Sequence, residues 1–349
     1  MLNFIGYFLI ILLVFGILIF IHELGHFMTA RACGVTVKEF AIGMGPKIFS
    51  WTSKKHSTKY ALRLFPIGGF VSMENEDGLD ENSDPDDEGA FCNKSVPKRM
   101  LITIAGAAMN LLLGFILMMI IVFATKNLGS TTIARFADNA TSSEKLMVND
   151  EILKVDNTRV HTWNELAYEI MNSGYEPVDI TLRRDGEKIV VNDVVFSTFQ
   201  DSGATFGQYD FLPYAEEANF PNLIKHSFFR SVSTVKMVLD SVKGLITGRF
   251  GMDAVSGPVG VVGVVKDVSS QGFMSFLYIV CVLTINLGVF NLIPFPALDG
   301  GRFLFLAIEG VRGKPIDRKI ESYINFVGIM ILFAFMIFIT CKDIVKLIF

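Results

Sequence analysis

Four stretches of the chain are too long and too uniformly apolar to be ordinary core elements. Phe4–Ile21 carries no charge, and the apolar run reaches Ala32 with few breaks. Leu101–Ala124, Phe273–Leu298 and Ile324–Cys341 are also free of charged residues. A membrane-crossing helix needs about 20 apolar residues, so the pattern predicts four spans. Between the second and third spans the pattern changes. Val148–Asn157 reads as a strand ending in a turn, and Trp163–Met171 has amphipathic helical spacing. Val178–Leu182 and Lys188–Val195 alternate around Asp185-Gly186, a strong hairpin signal. Asn222–Ile246 has helical spacing with scattered basic groups, which fits a helix lying on the membrane surface or, nearly as well, a soluble linker helix.

The expected architecture is therefore an α-helical multi-pass membrane protein of about four transmembrane helices, with an inserted small α+β domain. In segments, 1–33 is the first span and 34–99 a polar segment. The second span is 100–125, the small domain 126–200 and an interfacial amphipathic linker 201–271. The third span is 272–301, a connection 302–323, and the last span 324–349. Within 34–99, strand-like pieces at Lys59–Phe65 and Gly69–Met73 flank Pro66-Ile67-Gly68-Gly69, which marks a sharp turn and a membrane-associated β-hairpin. Glu74–Glu88 is an acidic stretch expected to be a solvated loop.

Composition agrees with a membrane protein. Of 349 residues, 51% are hydrophobic and 32 are Phe, while the net charge is only −4; nothing points to a nucleic-acid partner. The four cysteines lie apart, with no C-x-x-C pair, and read as apolar fillers. The first span has no basic leader and no small-residue cleavage site, so it reads as a true span and not a signal peptide. Lys and Arg concentrate in 33–99 and 300–320, which places those segments in the cytoplasm and the small domain and both termini outside. Lys342 and Lys346 are a mild counter-signal.

Chemistry enters with His22-Glu23-Leu24-Gly25-His26. This is H-E-x-x-H: two imidazoles four apart share one helix face, and a carboxylate stands beside the first. The pattern is that of zinc metalloproteases, with two His ligands and a Glu base. Ionisable groups inside a bilayer are expensive and mark function. The third span ends in Asn291-Leu292-Ile293-Pro294-Phe295-Pro296, where two prolines break the helix, followed by Asp299. By the charge rule, Asp299 and both histidines fall at similar depth on the cytoplasmic side. Two His and one carboxylate are a catalytic zinc set with an open fourth position. A zinc ion there would lower the pKa of water toward ~7, and Glu23 could take its proton. Asn110, the only strongly polar side chain in the second span, reads as a helix–helix hydrogen bond.

Together with Pro66-Ile67-Gly68-Gly69-Phe70-Val71 and Ser256-Gly257-Pro258-Val259-Gly260, these motifs resemble the site-2 protease family (peptidase family M50). They are most like its RseP/RasP-like bacterial members with a single PDZ domain, and the resemblance covers nearly the whole chain. It implies Zn2+ held by His22, His26 and Asp299, with Glu23 as base. Gly68, Gly69 and Phe70 would belong to a membrane-dipping β-loop that holds substrate extended. Asn291, in the motif completed by Pro294, would bind substrate. The 126–200 domain would be an extracytoplasmic PDZ domain. Substrates would be single-span membrane proteins, such as anti-sigma factors or signal-peptide remnants, after an upstream site-1 protease has acted; the setting would be the plasma membrane. Ala107 stands where the family usually has proline, and no carboxylate-binding loop is evident in Ala134–Ser143. Two other classes compete with a protease: a zinc transporter or sensor, which should show inverted repeats, and a membrane scaffold, which would have no use for Glu23.

Overall fold

The computed structural model describes residues 2–54, 57–76, 87–201 and 203–348. Most of the acidic stretch, 77–86, lies outside these residues. The chain divides into two compact units, one formed by Met1–Gly114 with Ser256–Phe349 and the other by Phe115–Val255. Among the described residues, four helices are long and apolar enough to cross a membrane. They are α1 (Leu2–Ala32), α2 (Val96–Thr125), α6 (Phe273–Leu292) and α8 (Arg318–Ile348).

In the first unit, α1 and α2 approach closely because both are small where they meet. A Cβ on Gly25 would lie 2.4 Å from the Ala105 carbonyl oxygen. Small residues at Ala105–Ala108 are what permits so close a helix contact. Gly288 of α6 meets Leu111 and the Ala107 carbonyl in the same way, and α2 runs unbroken past Ala107.

The sheet of this unit differs from expectation. The two strand pieces around Gly68-Gly69 are not the arms of one hairpin. They belong to one strand, β2 (Lys59–Met73), which pairs antiparallel with β1 (Val37–Thr52) in two places. Gly69–Met73 pairs with Val37–Ile42, and Lys59–Arg63 pairs with Lys47–Thr52. Glu39–Ile42 also lies beside Lys59–Leu62. Both strands therefore bend sharply, at Gly43 and Gly45 in β1 and at Gly68 in β2, all with positive φ. The inner part packs Phe40, Val71 and Met73 against Phe27 and Ala30 of α1. The outer part exposes Ile48, Phe49, Trp51, Leu64 and Phe65.

The third span also ends differently. α6 stops at Leu292, not Leu298, since neither proline can continue the helix. A tight turn follows, with Ala297 at φ +74°, its N–H donated to Asn325 Oδ1 at 3.1 Å. Asp299 then opens a new helix, α7 (Asp299–Arg312), so much of the expected 302–323 connection is helical. Gly300 and Gly301 are required here, as Cβ atoms would lie 2.3 Å from the carbonyl oxygens of Ile293 and Phe295. Ser256–Gly260 begins the helix α5 (Pro258–Ser269), whose start is held by α8. The N–H groups of Gly257 and Gly260 both donate to Asp343 Oδ2 at 2.8 Å. A buried carboxylate there satisfies orphan donors at a helix N-terminus.

The second unit contains β3 (Gly129–Phe136), β4 (Glu151–Val155), β5 (Thr158–Arg159), α3 (Trp163–Ser173), β6 (Val178–Arg184) and β7 (Glu187–Val194). Asp185 and Gly186, at φ +50° and +86°, make the expected two-residue turn. Residues 201–246, read from the sequence as linker, add more structure. β8 (Ser197–Asp201) and β9 (Ala204–Gln208) form a hairpin, β10 (Phe211–Ala215) joins the main sheet, and α4 (Phe220–Ile246) follows. The main sheet runs β10-β3-β4-β6-β7, with β5 beside β4. Ile133, Ile152, Leu166, Ile170, Ile180 and Leu182 fill its core. Polar bonds fix α3 to α4: Tyr168 donates to Asp240 at 2.9 Å, and Lys236 bridges Glu169 at 2.8 Å and Asp240 at 3.0 Å.

Candidate metal centre

His22 and His26 lie one turn apart on α1, both 8% exposed, their rings edge to face at 4.8 Å. Asp299 reaches them from the first position of α7. Its Oδ2 is 3.2 Å from His22 Nε2 and 3.3 Å from His26 Nε2, and the two Nε2 atoms are 3.2 Å apart. Three donor atoms thus form a nearly equilateral triangle. Tetrahedral zinc with bonds of about 2.0–2.1 Å puts neighbouring ligand atoms roughly 3.3 Å apart.

The protonation pattern also fits a cation. His26 Nδ1–H donates to the Ile102 carbonyl at 2.8 Å, so its Nε2 carries a lone pair. His22 Nδ1 faces the side-chain amide of fully buried Asn110 at 3.4 Å. With the amide turned so that its oxygen accepts from Nδ1–H, the otherwise unpartnered Asn110 Oδ1 is satisfied and His22 Nε2 is also free to ligate. Asp299 Oδ2 is buried and has no hydrogen-bond donor. Three lone pairs facing one another at this distance repel unless a positive ion lies among them. An ionised Asp299 carboxylate is the form that ligates.

Two further residues shape the site. A Cβ on Gly106 of α2 would lie 2.3 Å from His26 Nε2 and 2.8 Å from His22 Nε2, so only glycine leaves room there. Gly69 of β2 does the same beside Glu23, where a Cβ would come within 3.0 Å of Glu23 Cγ. Glu23, Phe70, Met73, Asp299 and Arg302 line a cavity of about 190 Å³ with the two histidines. Arg302 closes one side. It bonds the Glu76 carboxylate and carbonyl and stacks over Phe91 at 4.7 Å.

Of the residues named from sequence, His22, Glu23, His26, Asp299 and Phe70 therefore meet at one cavity, with Gly69 against Glu23. Gly68 packs on Met44. Asn291 donates to the Leu287 carbonyl at 2.9 Å, within α6, and neither it nor Pro294 lines the cavity. Asn110, Gly106 and Arg302 had no assigned place in the site. Asn110 stood out as a lone polar residue in a span, but its target was not readable. An anchor beside a metal ligand typically contributes 10–100-fold in affinity. Asn110→Leu is therefore expected to weaken zinc binding by about that factor, read by competition with a chelator.

Residues 10–335 match the family described as Peptidase family M50, and the chain belongs to that family of site-2 proteases. It is an intramembrane zinc metalloprotease: a membrane-embedded enzyme that acts on membrane proteins and uses Zn2+. Among its relatives are a zinc metalloprotease of Clostridium perfringens, 34% identical over 97% of this chain and 98% of that one, and one of Clostridium acetobutylicum, 33% identical over 96% of both. The regulator of sigma-W protease RasP of Bacillus subtilis is 28% identical over 96% of this chain and 97% of its own.

Proposed function

We propose that His22, His26 and Asp299 hold the zinc ion and that Glu23 is the general base for hydrolysis of a peptide bond in or near the transmembrane segment of a single-span protein. The observation carrying this reading is the 3.2–3.3 Å triangle of inward lone pairs. Zinc held there would supply a water of lowered pKa. Glu23, on the same helix turn, would be the group that holds the proton and passes it to the leaving amine. Phe70, Met73 and Arg302 line the cavity beside the two histidines.

A substrate helix hides its carbonyls in its own hydrogen bonds, so cleavage needs local unwinding. Among the described residues, Gly69–Met73 pairs on one side only, with Val37–Ile42, and Gly69 lies beside Glu23. Its free edge offers partners to the unwound chain by strand addition, with Gly68, Gly69 and Phe70 framing the substrate. The exposed Phe49, Trp51 and Phe65 suit an outer sheet that dips into lipid. Asn291 would reach substrate by releasing the Leu287 carbonyl, with Pro294 keeping that helix end open.

The charge distribution supports a reading in which the zinc centre is near the cytoplasmic face of the plasma membrane and the small domain is outside. That domain is read as a single PDZ-like module that filters substrates. The RasP relative is named as a regulator of sigma-W, which favours anti-sigma factors trimmed by an upstream site-1 protease, with signal-peptide remnants as a second class.

Asp299→Ala is expected to cut the zinc content of purified protein from one ion per chain to a small fraction, as one of three ligands is lost. Unchanged stoichiometry by elemental analysis would remove Asp299 from the ligand set.

A further inference from the structure

Beside the zinc cavity lies a larger one that the proteolytic reading does not use. It encloses about 440 Å³ between α2, α7 and the start of α8, within the ~300–1,000 Å³ range of ligand pockets. Its wall is amphiphilic. Phe305, Phe326 and Ile329 line one part, and Arg318, Ser322 and Asn325 line another.

The charges of this wall leave one cation over. Arg99 is held by both oxygens of Glu309, at 3.1 and 2.5 Å, and Arg302 is held by Glu76. Those two pairs are neutral, and Glu321 has a partner of its own. Arg318 has no ion-pair partner among the described residues. Asn325 spends its side-chain oxygen on the Ala297 N–H, which leaves its amide N–H groups for a ligand. Around the mouth the excess grows. Arg312, Lys314 and Lys319 are also exposed and unpaired among the described residues, and the acid between them is Asp317 alone.

The cavity also crosses from a polar to an apolar level. α8 carries Arg318, Lys319 and Glu321 in its first turn and then no charge from Ser322 to Cys341. Tyr323, 69% exposed at that boundary, is the kind of residue that sits at headgroup level. From Arg318 to Ile329 the helix rises about 16 Å, enough for a phosphate head at one end and the upper part of an acyl chain at the other. Phe326 and Ile329 are open on their outer side, where the bilayer would meet them. Soluble phosphate would use the polar end and leave the aromatic end bare. A phospholipid uses both.

We propose that this cavity binds an anionic phospholipid of the surrounding bilayer. The phosphate lies against Arg318, the rest of the headgroup bonds Ser322 and Asn325, and an acyl chain follows Phe326 and Ile329. Basic pockets between membrane helices hold headgroups in this way. Glu76, Phe91 and Arg302 wall this cavity and the zinc cavity alike, so the lipid borders the ion pair beside the metal site. The proposal goes beyond the proteolytic reading and does not depend on it.

The test uses full-length, delipidated protein in detergent, titrated with dioctanoyl phosphatidylglycerol, with bound lipid counted by native mass spectrometry. Saturable binding of one lipid per chain is expected, and dioctanoyl phosphatidylcholine should bind about 10-fold more weakly, as the unpaired cations favour a net negative head. Arg318→Gln should weaken phosphatidylglycerol binding about 10-fold, the loss of a charge-assisted bond. Arg312→Gln, outside the cavity, should have a much smaller effect. Ser322→Trp fills the cavity while keeping every cation, and should abolish retention. Equal losses from Arg318→Gln and Arg312→Gln, or full retention by monodisperse Ser322→Trp protein, would place the lipid on the outer surface and overturn the proposal. Equal binding of the two lipids would overturn it as well. Displacement by glycerol phosphate at the same concentration would assign the cavity to a soluble anion instead.

Discussion

Glu23→Gln protein is expected to keep its zinc and to lose cleavage of a co-expressed single-span substrate by 10²–10⁴-fold, the usual contribution of a positioned acid–base group. The amide is isosteric, and Glu23 is outside the triangle of donor atoms formed by His22, His26 and Asp299, so the metal site should not move. It cannot accept a proton, so the step from water to leaving amine has no carrier. Two measurements are needed together: zinc per chain and appearance of the cleaved fragment. A variant that still cleaves at the native rate would show that another group moves the proton. Because it should bind substrate without consuming it, the same variant is the natural trap for identifying substrates by mass spectrometry.

Gly106→Ala is expected to be as damaging, although it removes no donor. The added methyl would have to occupy space 2.3 Å from His26 Nε2 and 2.8 Å from His22 Nε2, well inside contact distance. The imidazoles are held from behind by the Ile102 carbonyl and Asn110, so they cannot retreat without breaking those bonds. Zinc affinity should fall by more than 10-fold, as when a ligand's anchor is lost, and proteolysis with it. Gly263→Ala is the control, since a Cβ there meets nothing. It should leave zinc unchanged and, by helix propensity, add up to ~1 kcal/mol of stability. If Gly106→Ala binds zinc normally, the histidines have a second arrangement.

How much of this was readable from the sequence depends on the range of the interaction. His22, Glu23 and His26 are local: helical spacing alone puts the two imidazoles together. Asp299 was legible because charge patterning and the prolines at 294 and 296 fixed its depth. The four spans and the Asp185-Gly186 hairpin rest on composition and on one turn, and were equally plain. The place of Gly106 beside the histidines was not legible, since nothing local says what lies opposite a small residue in a span. The doubled pairing of β1 with β2 depends on which residue faces which across two bends, and period-2 patterning does not encode that. β10 has five residues and a proline, and its partner strand lies far upstream, so propensity gave no sign of it. Asp343 caps α5, again a contact between distant segments that local patterning does not reveal.

Asp299 lies at the start of α7, most of the chain's length after His22 and His26, and the turn before it leans on Asn325 of α8. During biosynthesis, the first span therefore enters the bilayer with two of the proposed ligands and without the third. The donor set becomes whole only once the later spans are made and inserted. A ribosome-bound or truncated chain carries the recognisable motif but no protease, so the membrane meets a competent blade only when the whole molecule has been assembled.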